Sequence, residues 1–180
     1  MTGIQILDAT IQDKEQIFLF FTDVLNHTFQ ENGIWDMQDD LMDEIAEKKN
    51  FFLESTVKSK KWRQFLLAKE KDRIIGCVAI GPANDSIVKG SQGQCTDWVE
   101  IGTVFVHSDF QKKGLGTRLI REMENWLKAH GIHHYVLDSG YPISKQIWTR
   151  KYGPPTYVMK DHWGEGLDHL IWCVELKCRG

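Results

Sequence analysis

The sequence contains no apolar run near the roughly 20 residues that a membrane-spanning helix needs. The first apolar stretch, Ile17-Phe18-Leu19-Phe20-Phe21, is preceded by Asp8, Asp13 and Glu15. A secretory signal has the opposite arrangement, with basic residues ahead of a longer run, so a cytoplasmic protein is expected. Neither sign of charge is in excess: 22 Lys and Arg stand against 25 Asp and Glu, a net charge of −3. Neither a nucleic-acid backbone nor a membrane is therefore expected as partner. The four cysteines, Cys77, Cys95, Cys173 and Cys178, form no C-x-x-C pair and no compact cluster, so no metal site is expected and free thiols are the default. Internal repeats and low-complexity tracts are missing as well.

What is present is 180 residues, of which 42% are hydrophobic and 26% charged, the balance of a chain that buries a core and stays in solution. The length fits a single domain over 1–180. Ile4 and Ile6 open a strand. Ile17, Phe20, Phe21, Val24 and Leu25 then recur at helical spacing from Asp13 onward. After Asn32-Gly33, Met37, Leu41 and Ile45 lie four apart in a second helix. Asp36, Asp39, Asp40, Asp43, Glu44 and Glu47 fall largely outside that stripe and read as a solvated face.

Val57 to Lys61 reads as a surface connection. The runs Phe65 to Lys69 and Arg73 to Ile80, separated by Glu70-Lys71-Asp72, predict a β-hairpin. A polar loop follows from Gly81 to Asp97, longer than most connections in a compact domain. Trp98 to Val106 is the strongest strand. Leu115, Leu119, Ile120, Met123, Trp126 and Leu127 mark an amphipathic helix that stops at Gly131. His133 to Asp138 predicts a strand, Pro142 to Tyr152 a short helix, and Thr156 to Lys160 with His169 to Lys177 a last pair of strands. The expected fold is a mixed α/β domain.

The chemistry concentrates between Trp98 and His130: strand, tight turn through Ser108-Asp109-Phe110, glycine-punctuated loop, helix. Unsatisfied N–H groups and the positive dipole end of a helix start make an anion site. Gly114 and Gly116 remove side chains that would hold a phosphate away, and Lys112, Lys113 and the Thr117 hydroxyl add donors. The segment suits a pyrophosphate. The nucleoside-triphosphate pattern G-x-x-x-x-G-K-[ST] is absent. The dinucleotide pattern G-x-G-x-x-G fails at Leu119, although Asp138 stands on the following strand where a ribose-binding acid belongs, which leaves a nicotinamide enzyme as an alternative.

Gln111-x-x-Gly114-x-Gly116, placed between this strand and this helix, resembles the acyl-CoA pyrophosphate loop of the GNAT superfamily of N-acyltransferases, and the order of elements resembles that fold over nearly the whole chain. The resemblance implies a central, largely antiparallel twisted sheet flanked by helices and splayed at Trp98 to Val106. It implies that the backbone of Val104, Phe105 and Val106 pairs with the pantetheine arm of acetyl-CoA. Gln111, Lys112, Lys113, Gly114, Leu115, Gly116 and Thr117 then hold its pyrophosphate.

Glu100 stands out on the same strand, because a charge among Val99, Ile101, Val104, Phe105 and Val106 is costly unless it is paired or faces a cleft. In some members of the superfamily a glutamate eleven positions before the loop glutamine is the general base, and Glu100 has that offset from Gln111. Gly102 reads as a bulge or a place where another backbone or a ligand comes close. An amine is mostly protonated at neutral pH, so direct acyl transfer needs a proton acceptor, and Glu100 fills that role. Backbone N–H groups near Val104 to Val106 would stabilise the oxyanion.

The chain departs from the superfamily at the position of its usual thiolate-protonating tyrosine, where Thr149 stands. Pro154 replaces the usual Phe after Gly153, and Pro142 replaces a cofactor-contacting Asn. Tyr152 or Tyr141 remain as donors, and a non-catalytic acyl-CoA-binding domain remains an alternative to the enzyme. His133-His134 point to opposite faces of a strand, Cys95 has no activating neighbour in sequence, and Asp138-Ser139-Gly140 lacks the G-x-S-x-G elbow. Arg118 and Arg121 read as exposed. Trp35 beside Asp36, Trp98, and His162-Trp163-Gly164-Glu165 are aromatic and acidic groups suited to a cationic small-molecule amine as acceptor. A monomer or homodimer is expected.

Overall fold

The computed structural model describes residues 3–57 and 63–176. The expected basic connection at Lys58 to Lys61, Cys178, and the Lys177 end of the last expected strand lie outside them. The strands are β1 (Ile4–Asp8), β2 (Gln64–Glu70), β3 (Arg73–Pro82), β4 (Val99–Val106), β5 (His134–Ser139), β6 (Tyr157–Met159) and β7 (His169–Glu175). They form a mixed sheet in the order β1-β2-β3-β4-β5-β7-β6. Between them run α1 (Lys14–Glu31), α2 (Gln38–Thr56), α3 (Asp85–Gly90), α4 (Leu115–Ala129) and α5 (Pro142–Tyr152). This is the α/β arrangement expected from the sequence. The chain divides into two compact units, Met1–Ile80 with Thr103–Trp126, and Gly81–Gly102 with Leu127–Gly180.

In the first unit β1, β2 and β3 pair antiparallel, with Ile6 opposite Ala68 and Leu67 opposite Cys77. Phe65 to Ala68 and Ile74 to Ile80 are buried on both faces, so these runs are apolar without alternation. α1 turns Ile17, Phe20, Phe21, Val24, Leu25 and Phe29 inward at the predicted spacing. Phe21 and Phe52 meet Phe65 edge to face, with centroids 6.3 Å and 6.0 Å away. Burial of each such ring contributes about 1.5–3 kcal/mol. α2 buries Leu41, Ile45 and Phe52 and leaves Asp39, Asp40, Asp43 and Glu47 exposed. Met37, expected in that stripe, is instead exposed at the N-cap (φ −81°, ψ 64°), because the helix starts only at Gln38.

A buried carboxylate anchors the start of α1. Asp13 accepts from the Thr10 N–H at 2.9 Å and the Thr10 hydroxyl at 3.0 Å, and pairs with Lys69 of β2. Burial works to raise the Asp13 pKa, but the donors from Lys69 and Thr10 outweigh it and hold the carboxyl below its usual 3.8. A depressed carboxyl pKa adds stability above the unfolded-state value and loses it as pH falls through the folded-state value. Asp13→Asn is therefore expected to cost about 1–2 kcal/mol at neutral pH. Denaturant titrations of the two proteins should converge as the pH drops below about 3.8.

In the second unit β5 pairs antiparallel with β7, Val136 opposite Cys173, and β6 pairs antiparallel with β7. The β4 end within this unit joins β5 in parallel at Glu100 and Val136. The expected loop from Gly81 to Asp97 contains α3, whose six residues are too few to show a helical period. Asn84 caps it, its side-chain oxygen accepting from the Ile87 N–H at 2.9 Å. Ile87, Cys95, Val136 and Ile171 pack beneath it. Cys95 lies in the expected loop but is buried in the core, and its sulfur lies 3.5 Å from that of Cys173. Burial, with Cys95 alongside, pushes the Cys173 thiol up to about 11.

Candidate functional site

In the first unit β4 ends at Val106 and the chain makes a short 3-10 turn over Ser108–Phe110 before α4. His107 caps that turn, its Nδ1 accepting from the Asp109 N–H at 3.2 Å. His107 Nε2 lies 2.6 Å from the Arg73 guanidinium and 3.3 Å from Asp23 Oδ2, while the backbone N–H of His107 donates to the Ile75 carbonyl. Gln111 folds back to donate to the Val106 carbonyl at 3.1 Å. Lys112 and Gly114 both have left-handed backbone, φ 57° and 80°, the kind of turn from which anion-binding concavities are built.

The Lys113 ammonium donates to the Asp109 carbonyl at 2.8 Å and lies over the Phe110 ring, so it braces the turn from within. Leu115 begins α4 and is buried, whereas Gln111 to Gly114 and Thr117 are exposed. No heavy atom lies within 4 Å of where a Gly114 Cβ would be, and a Gly116 Cβ would meet only the Val106 side chain, at 3.7 Å. The loop thus offers glycine-bared backbone at a helix start beside two lysines, which fits a pyrophosphate. Val104, Phe105 and Val106 are half-buried on the strand that leads into it.

In the second unit Glu100 is half-buried on β4. Its Oε2 accepts from the Asn84 N–H at 3.0 Å, and its Oε1 lies 2.6 Å from the position that a Cβ on Gly102 would occupy. What stands close to Gly102 is thus the Glu100 carboxylate of the same strand, not the other backbone or ligand expected there. Thr103, the next residue, has φ 51°, an outlier for a β-branched residue. A half-buried carboxylate on a strand, oriented by a backbone donor, is equipped to take a proton from a neighbouring group.

From Glu100 a chain of three further residues runs back through Asn84, and no sequence pattern joins them. Asn84 donates its Nδ2–H to Asp138 Oδ2 at 2.9 Å, and the same oxygen receives His169 Nε2 at 2.8 Å. His169 is 5% exposed. Its Nδ1 accepts from the Trp163 indole at 3.0 Å, and the indole rests on Gly140. Asn84 and Asp138 are 54 positions apart and Asp138 and His169 31, so no sequence spacing announces them. The one available signal was Asp138 itself, an acid closing an apolar strand.

The remaining candidates fall in separate places. The Tyr152 hydroxyl is 2.9 Å from that of the fully buried Tyr135, and its ring packs on Trp148. Tyr141 is the N-cap of α5, with its N–H on Ser139 Oγ, and Thr149 is exposed. Trp98 stacks on His134 at 4.4 Å, whereas Trp163 clusters with His162 and His169, so the two tryptophans belong to different groups. Trp35 is exposed in the first unit. Among the described residues no group of three or more His, Cys, Asp or Glu is disposed to hold a metal, and no helix is long and apolar enough to cross a membrane.

No curated protein sequence matches the chain. Solved structures do match its fold. Thermoplasma acidophilum PaiA N-acetyltransferase in complex with coenzyme A superposes with a TM-score of 0.65 at 16% identity, over 94% of this chain and 98% of that one. A GNAT family acetyltransferase from Elizabethkingia anophelis with acetyl-CoA bound gives 0.60 at 18% identity, over 98% and 100%. An aminoglycoside 6'-acetyltransferase type Ii gives 0.63 at 17% identity, over 98% and 99%. The sequence model of the Acetyltransferase (GNAT) family matches residues 25–153, which take in the strand carrying Glu100, the glycine loop and α4. With that match over more than half its length, the chain belongs to the GNAT acetyltransferase family.

Proposed function

We propose that the protein is an acetyl-CoA-dependent N-acetyltransferase, one domain over 1–180, that acetylates a primary amine by direct attack with Glu100 as general base. The observation that carries this reading is the setting of Glu100: its carboxylate lies along the strand over Gly102 and is held by the Asn84 N–H. Acetyl-CoA supplies the activated acetyl thioester when bound. Gln111 to Thr117 hold its pyrophosphate through exposed backbone N–H groups, with Lys112 and Lys113 adding positive charge. The backbone of Val104 to Val106 binds the pantetheine arm. Glu100 accepts the proton that the amine must lose, directly or through water. Tyr152, with its hydroxyl on Tyr135, is the donor to the departing thiolate.

The acceptor is a small-molecule or peptide amine, and the acidic and aromatic groups around Asp138 and Trp163 favour a cationic one. The test is thiol release from acetyl-CoA with spermidine, an aminoglycoside, lysine and a peptide with a free N-terminus. At least one amine should turn over, and Glu100→Gln should lower kcat by about 100-fold or more while calorimetry shows unchanged CoA binding. Binding of CoA with no turnover across the panel would instead indicate a non-catalytic CoA-binding domain. Failure to bind CoA would overturn both.

A further inference from the structure

We propose that Asp138 and His169 are positioning residues for the Glu100 carboxylate, acting through Asn84; the proposal rests on the reading of Glu100 as the base. The placement begins with strand register. Glu100 of β4 is paired with Val136 of β5. Asp138, two residues further along β5, points to the same face as Val136. Asn84, at the start of α3, lies over that face and reaches both acids: its backbone N–H goes to Glu100 Oε2 and its side-chain NH2 to Asp138 Oδ2.

Each link in the chain fixes the direction of the next. The Trp163 indole can only donate, so His169 Nδ1 must accept and Nε2 must carry the proton. That proton goes to Asp138 Oδ2. The same oxygen takes the Asn84 amide, which settles its orientation, with Nδ2 toward the carboxylate and Oδ1 on the Ile87 N–H. The Asn84 side chain is thereby held at both Nδ2 and Oδ1. A hydrogen bond to an ionised acceptor is about twice as strong as one between neutral groups, so Asp138 is the firmest of its anchors. With Asn84 fixed, its N–H presents a constant donor to Glu100.

A capping network that served only the stability of α3 would affect turnover equally whether or not Glu100 is present. The experiment is therefore a double-mutant cycle, with thiol release measured on whichever of the four panel amines turns over fastest. Asp138→Ala is expected to lower kcat by about 30-fold with the acetyl-CoA KM within about twofold, and to add no further loss in a Glu100→Gln background. Asp138→Asn, whose amide oxygen can accept both bonds, should restore kcat to within about threefold of the parent.

Should Asp138→Ala unfold the protein, Asn84→Gly serves in its place. Glycine is an acceptable N-cap and keeps the backbone donor while removing the tie to Asp138. It should lower kcat by about tenfold, again only when Glu100 is present. The readout that needs no turnover is the Asn84 backbone amide in a 1H–15N spectrum. Its proton should move upfield in Asp138→Ala, toward its position in Glu100→Gln. Equal loss of kcat in both backgrounds, or an Asn84 amide unmoved by Asp138→Ala, would overturn the proposal. Full turnover in Glu100→Gln would overturn the base assignment alone, and the amide shift would still decide whether Asp138 governs the Asn84 contact.

Discussion

Gly102→Ala is expected to lower the turnover of acetyl transfer by about 100-fold without unfolding the protein. The added methyl would sit 2.6 Å from Glu100 Oε1, which is closer than van der Waals contact permits. The three nearest atoms, Oε1 at 2.6 Å, Cδ at 3.5 Å and Cγ at 3.8 Å, all belong to the Glu100 side chain. The clash is thus relieved by moving a flexible carboxylate and not by moving backbone. Alanine also suits an extended strand better than glycine, so the melting temperature should stay within a few degrees of the parent. The carboxylate, however, can no longer lie along the strand and accept from Asn84.

A displacement of about 1 Å in a reacting group can cost about 100-fold, and a positioned general base contributes about 100- to 10,000-fold. Glu100→Gln and Gly102→Ala should accordingly be non-additive: the double variant should be no slower than Glu100→Gln alone. Stopped-flow or steady-state thiol release, alongside a thermal melt, measures both quantities. A Gly102→Ala enzyme as fast as the parent would mean that the carboxylate has no part in the slow step as it is held here.

The parts of this site that were legible in the sequence are those fixed by neighbours in the chain. Gln111, Gly114 and Gly116 can be read because a helix start and a glycine turn are local structures. α4 can be read because Leu115, Leu119, Ile120 and Met123 repeat over several turns, and all four are buried. Glu100 stood out because its neighbours on the strand are apolar. α3 could not be read so, since its six residues are too few to show a helical period.

The network behind Glu100 was illegible for a different reason. Asn84, Asp138 and His169 come from a cap, one strand and the strand beside it, and each residue type is ordinary at its own position. Only the antiparallel pairing that sets Ser139 opposite Leu170 and Asp138 opposite Ile171 brings His169 to Asp138. Met37 erred in the other direction: its four-residue spacing to Leu41 was real, but the helix began after it. The tryptophans divided for the same reason as the network. Trp163 is exposed yet anchored by His169 and seated on Gly140, and neither contact has a sequence signature.

The glycine loop yields the second large effect, at Gly116. A side chain there is sterically admissible, because its Cβ would touch only Val106 Cγ2 at the ordinary distance of 3.7 Å. Gly116 is the second residue of α4, where an acidic side chain interacts favourably with the helix dipole by about 0.3–1 kcal/mol. Gly116→Asp should therefore melt at the same temperature as the parent or slightly higher. It should also weaken acetyl-CoA binding by about 100-fold, or about 2.7 kcal/mol, because its carboxylate occupies the approach to the N–H groups that a pyrophosphate needs.

Gly131, beyond the other end of α4, supplies the converse. It has φ 74°, and aspartate there suffers both the left-handed backbone and the negative end of the dipole. Gly131→Asp should lose about 1–2 kcal/mol of stability and keep its affinity for acetyl-CoA. Calorimetric binding and thermal melts of the two variants separate ligand site from scaffold on one helix. If Gly116→Asp binds acetyl-CoA as tightly as the parent, the pyrophosphate lies elsewhere than at the start of α4.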